Sequence, residues 1–221
     1  MGNMVSFKRP NGGEVQGYLT TSEGSKAGIV VLQEWWGLND QIKGVTDRFA
    51  AAGFTALAPD LYEGRVTQEP DEAEHMMTGL DWVGATEQDV SGALTYLKGS
   101  CGCSTAGVMG FCMGGALTII AGTKLEACDA AVCYYGIPPL EATDPANMSV
   151  PFQGHFASRD DWCTPAAADD LEAALKSSGV DYEMHRYEGE HAFFNETVPP
   201  YDADAAALSW QRTLDFLGRH L

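Results

Sequence analysis

The stretch GFCMGG, residues 110–115, is the segment of the chain that best indicates the fold. It follows TAGVMG (105–110), an apolar run of strand length, and it leads into MGGALTIIAG (113–122), which has the character of a helix. A residue that can act as a nucleophile, flanked by glycines where a strand turns sharply into a helix, is the pattern of a nucleophile elbow. Glycine is needed at 110 and 114 because such a turn leaves too little room for a Cβ.

Cys112 has two interpretations at this position. At a helix N-terminus the macrodipole favours a thiolate, and the amide of Met113 would point into the same space as an oxyanion donor. In the other interpretation Cys112 is a buried structural cysteine that happens to lie among glycines. The strand before the turn and the helix after it favour the nucleophile.

Strand-length apolar runs alternate with helix-length amphipathic segments along the rest of the chain. Strands are predicted at EVQGYLT (14–20, at an edge of the sheet), AGIVVLQ (27–33), FTALAPD (54–60), TAGVMG, AAVCYYG (130–136), VPFQGHFAS (150–158) and YEMHRYEG (182–189). Helices are predicted at 39–53, with Asn39 or Asp40 as the N-cap, and at 85–99, 113–122, 165–179 and 202–221; residues 61–82 are predicted to be irregular. The pattern predicts one α/β domain over residues 1–221, a mostly parallel sheet flanked by helices on both faces.

Composition excludes several classes of protein. The formal net charge of −18, from 31 acidic and 13 basic residues, disfavours nucleic acid and anionic membranes as partners. No apolar run is long enough to span a bilayer, and the N-terminus lacks a signal-peptide pattern. The six cysteines form no C-x-x-C pair, which predicts free thiols in a reducing cytoplasm. The sequence predicts no cofactor and no metal, and a monomer is the default expectation.

Polar side chains that follow the predicted strands are the candidates for chemistry, because ligands of open parallel sheets bind beyond the carboxyl ends of the strands. These side chains are Glu34, Asp60, Cys112, the adjacent Asp160 and Asp161, and His191. A thiol, a carboxylate and an imidazole on separate strand ends can form a relay of nucleophile, base and orienting acid. The alternative for His191 is a structural histidine.

Five motifs in order give the chain a resemblance to a known family. They are VLQEWWGLN, APDLY, GFCMGG, GHFASRDD and GEHAFF, and a closing helix contains RTLDFL. Together they span nearly the whole chain and resemble the dienelactone hydrolase family, small enzymes of the α/β-hydrolase fold with a Cys-Asp-His triad.

The resemblance implies a role for each matching residue. Cys112 would be the nucleophile and His191 the base, and Glu34 would interact with the resting thiol. The backbone amides of Trp35 and Met113 would be the oxyanion donors. The acid is Asp160, our preferred assignment, when the motif is aligned on ASRD, and Asp161 when it is counted back from the proline at 165.

Departures from the family pattern bear on the substrate. Asn195 stands where the family has an arginine that holds the substrate carboxylate, and the excursion at 61–82 offers only Arg65 for the second. A carboxylate should therefore bind poorly, which makes dienelactone itself a doubtful substrate. Five aromatic side chains suggest a neutral, partly aromatic pocket, although any one of them can be core: Trp35, Trp36, Trp82, Phe193 and Phe194.

The function implied by the resemblance is hydrolysis of a small-molecule ester or lactone through a thioester acyl-enzyme. One alternative is the same triad acting on another electrophile, such as a thioester or a phosphotriester. The other is a non-catalytic binder of small molecules that kept the fold.

Overall fold

The computed structural model of the protein describes residues 1–139 and 141–221, and it contains one eight-stranded sheet. The strands are β1 (Asn3–Lys8), β2 (Glu14–Thr20), β3 (Ala27–Leu32), β4 (Thr55–Pro59), β5 (Thr105–Phe111), β6 (Ala131–Tyr134), β7 (Phe152–Ala157) and β8 (Tyr182–Tyr187). The helices are α1 (Asp40–Ala51), α2 (Pro70–Thr78), α3 (Trp82–Gly84), α4 (Ser91–Gly99), α5 (Met113–Lys124), α6 (Pro165–Ser178) and α7 (Ala203–His220). A π-helical segment, Ala85–Val90, joins α3 to α4, and a short 3₁₀ helix covers Pro145–Asn147.

The sheet has the strand order β1-β2-β4-β3-β5-β6-β7-β8. The six strands from β4 to β8 in that order are parallel, whereas β2 is antiparallel to both β1 and β4. The predicted mostly parallel α/β sheet is therefore confirmed. No helix in the described part of the chain is both long enough and apolar enough to cross a membrane.

Two apolar cores lie on opposite faces of the sheet, as the continuous apolar run of β3 predicts. Successive side chains of a strand point to opposite faces, so Val30 and Leu32 belong to one core while Ile29 and Val31 belong to the other. Helices α4, α5 and α6 pack on the first face, and α1 and α7 pack on the second. Asn39 is the N-cap of α1, since its side chain accepts a hydrogen bond from the amide of Ile42 at 3.1 Å.

The sequence prediction is wrong at two places in the chain. β1 was not predicted, and because it pairs with β2, it takes the edge position that the sequence assigned to residues 14–20. The excursion at 61–82 is not wholly irregular, since it contains α2, which starts at Pro70 and buries Ala73 and Met76. Both elements bury too few side chains to produce a clear apolar pattern.

The turn between β5 and α5 has the geometry that the glycines predict. Cys112 has φ 53° and ψ −115° and immediately precedes the helix. A Cβ on Gly114 would lie 2.6 Å from the backbone oxygens of both Leu32 and Gln33, and one on Gly110 would overlap the backbone of Gly114. The elbow therefore packs backbone against backbone, which only glycine permits.

This packing predicts that Gly114→Ala destabilises the protein by about 2 kcal/mol or more, since the added methyl meets rigid backbone. Urea denaturation measures the change. Gly44→Ala in α1 is the control, because its Cβ would have no atom within 4 Å and alanine favours a helix by up to about 1 kcal/mol. A Gly114→Ala protein as stable as Gly44→Ala would contradict the account of the turn.

Candidate active site

A carboxylate and an imidazole pair beyond the ends of β7 and β8. The Nδ1 atom of His191 lies 2.8 Å from Oδ2 of Asp160, whose side chain is buried. The other oxygen, Oδ1, accepts hydrogen bonds from the backbone amides of Trp162 and Cys163, each at 2.8 Å. Asp161 is exposed. Of the two adjacent aspartates, Asp160 is thus the one that contacts His191.

The two members of this pair shift each other's pKa. Burial alone would raise the pKa of Asp160, but hydrogen bonds from His191 and from the amides of Cys163 and Trp162 outweigh it and lower that pKa. Burial would lower the pKa of His191, but Asp160 and the Cys112 thiol outweigh burial and raise it. Asp160 therefore stabilises the imidazolium that forms when His191 accepts a proton.

Cys112 and His191 line the same cavity. The Nε2 atom of His191 is buried and has no hydrogen-bond partner of adequate geometry among the described residues. Catalytic hydrogen bonds are often long in the absence of substrate, so this arrangement is compatible with proton transfer from the thiol.

The groups around the Cys112 thiol shift its pKa in opposite directions. Burial raises its pKa and the charge of Glu34 raises it further, while His191 and the backbone amide of Met113 lower it. The amide of Met113 therefore lies at the sulfur, where the sequence predicts an oxyanion donor. Trp35, which would carry the second donor, lines the same cavity.

Glu34 follows β3 and is almost completely buried, with 3% of its surface exposed. One carboxylate oxygen accepts a hydrogen bond from the Tyr135 hydroxyl at 3.0 Å, and the other accepts one from the Asn195 amide at 2.6 Å. Burial raises the pKa of Glu34 and these hydrogen bonds oppose the rise. Among the described residues, the hydrogen bonds of Glu34 are made with Tyr135 and Asn195, and Glu34 affects Cys112 through its charge.

Tyr135 and Asn195 are site residues that the sequence did not predict as such. Tyr135 follows β6 and has an unusual φ of 38°, a conformation that functional sites often hold. The Oδ1 atom of Asn195 accepts hydrogen bonds from the amide and hydroxyl of Thr197 at 2.9 and 2.6 Å, which leaves the Nδ2 group to face Glu34. The only sequence signal for Tyr135 was its place at a strand end, the criterion that selected Glu34.

The remaining strand-end candidate, Asp60, has a structural role. Its carboxylate accepts hydrogen bonds from the amides of Tyr62 at 3.2 Å and Gly64 at 2.6 Å, so it closes the turn after β4. It does not line the cavity that contains Cys112.

That cavity, which we call the catalytic cavity, has a volume of about 490 Å³ and is mainly apolar. Trp35 and Trp36 line it as predicted, and so does Trp162, which was not predicted. Trp162 is 60% exposed, and the centroid of its ring lies 5.3 Å from that of the Trp35 ring and 6.0 Å from that of the His191 ring. Trp82, Phe193 and Phe194 pack in or against the cores instead and do not line the cavity.

No lysine or arginine from the described residues lines the catalytic cavity. Arg65 lines a different cavity, and Asn195 is buried against Glu34. The described lining of this cavity thus offers a substrate carboxylate no lysine or arginine, and His191 is the group in it that can carry a positive charge.

Cys163 lies beside the acid–base pair. Potential metal-ligand atoms of Asp160, Cys163 and His191 lie within 4.8 Å of one another. Asp160 and His191 hydrogen-bond to each other, and the Cys163 thiol donates to the carbonyl of Tyr135 at 3.2 Å. Each of the three side chains thus has a partner in the protein, and the predicted lack of a metal stays a prediction.

Comparison with known proteins agrees with the resemblance drawn from the sequence. The model of the dienelactone hydrolase family matches residues 15–221. The protein named usf of Aquifex pyrophilus is 35% identical, and a putative carboxymethylenebutenolidase of Aquifex aeolicus is 32% identical; each alignment covers 100% of both chains.

Solved structures show the same fold at lower sequence identity. A putative dienelactone hydrolase from Klebsiella pneumoniae superposes with a TM-score of 0.82 at 21% identity, covering 100% of both chains. A dienelactone hydrolase-like promiscuous phosphotriesterase from metagenomic libraries superposes with a TM-score of 0.85 at 21% identity, covering 99% of this chain and 98% of the other. The family match, the similarity to these relatives and the shared α/β-hydrolase fold lead to one conclusion. The chain belongs to the dienelactone hydrolase family and is a hydrolase.

Proposed function

We propose that this hydrolase cleaves an uncharged ester or lactone by transferring the acyl group to Cys112. The observation that carries the proposal is the Asp160–His191 hydrogen bond, whose imidazole lines one apolar cavity together with the elbow cysteine, Cys112. A nucleophile, a base next to it and an acid that orients the base are the parts that covalent catalysis requires.

The proposed reaction has two stages. His191 accepts the thiol proton of Cys112, and the thiolate attacks the carbonyl carbon. The amides of Met113 and Trp35 stabilise the oxyanion, and the tetrahedral intermediate collapses to a thioester as His191 protonates the departing alcohol. His191 then removes a proton from water, which attacks the thioester and releases the acid. Asp160 keeps the imidazole oriented in both stages.

Glu34 is proposed to control the resting thiol. Its carboxylate disfavours a negative charge on Cys112, so the free enzyme keeps a neutral thiol until substrate fills the cavity. Tyr135 and Asn195 are positioning residues in this proposal, because they hold the carboxylate at its place near the sulfur.

The lining of the catalytic cavity supports an uncharged substrate. Its indole rings and prolines favour apolar groups, and its described residues include no lysine or arginine to pair with a carboxylate. A panel of an aryl ester, a lactone, a thioester and a phosphotriester identifies the electrophile, since a neutral apolar cavity does not by itself distinguish a carbonyl from a phosphoryl centre.

The triad assignment predicts that Asp160→Asn lowers kcat/KM for an aryl ester by about a thousandfold or more. His191 then loses the carboxylate that orients its ring and stabilises its positive charge. Cys112→Ala should lower turnover to the background rate. Steady-state kinetics checks both, with circular dichroism to verify folding. Asp161→Asn is the matched control and should retain activity, since Asp161 is exposed. Equal losses in the two aspartate variants would contradict the assignment.

The proposed role of Glu34 predicts faster alkylation of Cys112 in Glu34→Gln, because removal of the carboxylate lowers the pKa of the thiol. Each unit by which that pKa falls raises the thiolate fraction at pH 7 about tenfold. Iodoacetamide labelling followed by peptide mass spectrometry separates Cys112 from the other five cysteines. Glu190→Gln, in an exposed position next to His191, is the control. Equal rates in wild type and Glu34→Gln would refute control by Glu34.

A further inference from the structure

A second cavity adjoins the catalytic cavity. It has a volume of about 530 Å³, and we call it the α1 cavity because residues at the start of α1 line much of it. Trp36, Gln68 and Val198 line both cavities, so the two spaces meet along these three residues. The catalytic cavity alone has room for a small ester, so the adjoining space can take a further part of a larger substrate.

The α1 cavity differs from the catalytic cavity in its chemistry. Most of its lining residues have amide, hydroxyl or charged side chains: Asn39, Asp40, Gln41, Lys43, Thr67, Gln68 and Thr197. Its two charged groups are of opposite sign and lie 3.7 Å apart, from Nζ of Lys43 to Oδ1 of Asp40. The lining thus combines polar groups without a net charge with an apolar surface of at least equal extent from Trp36, Leu38, Val66 and Val198. It suits an uncharged ligand that has both apolar and hydrogen-bonding groups.

Gln41 is a buried polar group in this lining, with 7% of its surface exposed. Its amide nitrogen donates one long hydrogen bond, 3.4 Å, to Glu196, and its amide oxygen accepts none from the described residues. This oxygen is not enclosed by the protein, so a ligand in the cavity can reach it. Gln41 thus has capacity to accept a hydrogen bond from a hydroxyl group in the cavity.

Trp36 supplies an apolar surface within the same lining. An indole next to amide and hydroxyl groups is complementary to a sugar ring, which has apolar C–H faces and a rim of hydroxyl groups. An unbranched apolar chain would cover the amide oxygen of Gln41 without offering it a hydrogen bond, at a cost in binding energy.

We propose that the α1 cavity binds the alcohol half of the substrate, and that this half is a sugar or similar polyol. The inference rests on the proposed function. The substrate is then an ester that joins an apolar acyl group to a hydroxyl-rich alcohol. The S–C bond to Cys112 forms as the ester C–O bond breaks, the alcohol oxygen takes its proton from His191, and water later releases the acid from the thioester.

The acyl half belongs in the catalytic cavity because it stays bonded to Cys112 after the first stage. The alcohol half must leave while the thioester persists, so it needs a site beyond the reacting atoms. The α1 cavity meets that requirement, because it adjoins the catalytic cavity along Trp36, Gln68 and Val198.

Two benzoate esters test the proposal: 6-O-benzoylglucose, and cyclohexylmethyl benzoate, which has a ring of the same size without hydroxyl groups. With each kcat/KM divided by the ester's rate of alkaline hydrolysis, the wild type should favour the sugar ester about tenfold, as expected for one or two hydrogen bonds. Gln41→Leu should reduce that preference about three- to tenfold. Gln211→Leu, on the exposed face of α7, is the matched control and should keep the preference.

The outcomes separate this inference from the function on which it rests. Equal normalised rates for the two esters in the wild type, or a preference that Gln41→Leu leaves unchanged, would overturn the inference while Cys112-dependent ester hydrolysis stands. If the wild type hydrolyses neither ester nor methyl benzoate faster than Cys112→Ala does, the proposed function and the inference both fail.

Discussion

At Cys112 the backbone takes a left-handed φ of 53°, and the close contact of Gly114 with the carbonyls of Leu32 and Gln33 leaves that turn no room to relax. The turn places the sulfur beside the first amide of α5 and beyond the end of the central strand β5. Because β3, β6, β7 and β8 are parallel to β5, the residues that follow these strands converge on the same edge of the sheet.

Because these residues converge, groups that favour opposite charges surround the thiol. Asp160 and His191 form a hydrogen-bonded pair that stabilises positive charge next to the sulfur, while Glu34 presents a buried negative charge to it. Glu34 is held by two neutral donors, Tyr135 and Asn195. Among the residues that the structure describes, the hydrogen-bond partners of this carboxylate are thus neutral groups.

The sequence predicts those features that depend on neighbours along the chain. The elbow at Cys112 is defined by glycines a few residues away, and the central strands are continuous apolar runs because both faces are covered. The sequence does not predict β1, because only Phe7 among its residues is buried. It does not predict α2, because this helix is acidic and buries only two residues. The hydrogen bonds of Glu34 with Tyr135 and Asn195 join residues that are 101 and 161 positions apart, so no local sequence pattern predicts them.

The central claim is that Cys112 carries the acyl group during turnover. Rapid acid quenching of wild-type enzyme with phenyl benzoate, followed by peptide mass spectrometry, tests it directly. The account predicts a benzoyl group on the peptide that contains Cys112, removable by hydroxylamine as a thioester is, and absent from Cys112→Ala. Continued turnover with no benzoyl group on Cys112, or with the group on another residue such as Cys163, would contradict it.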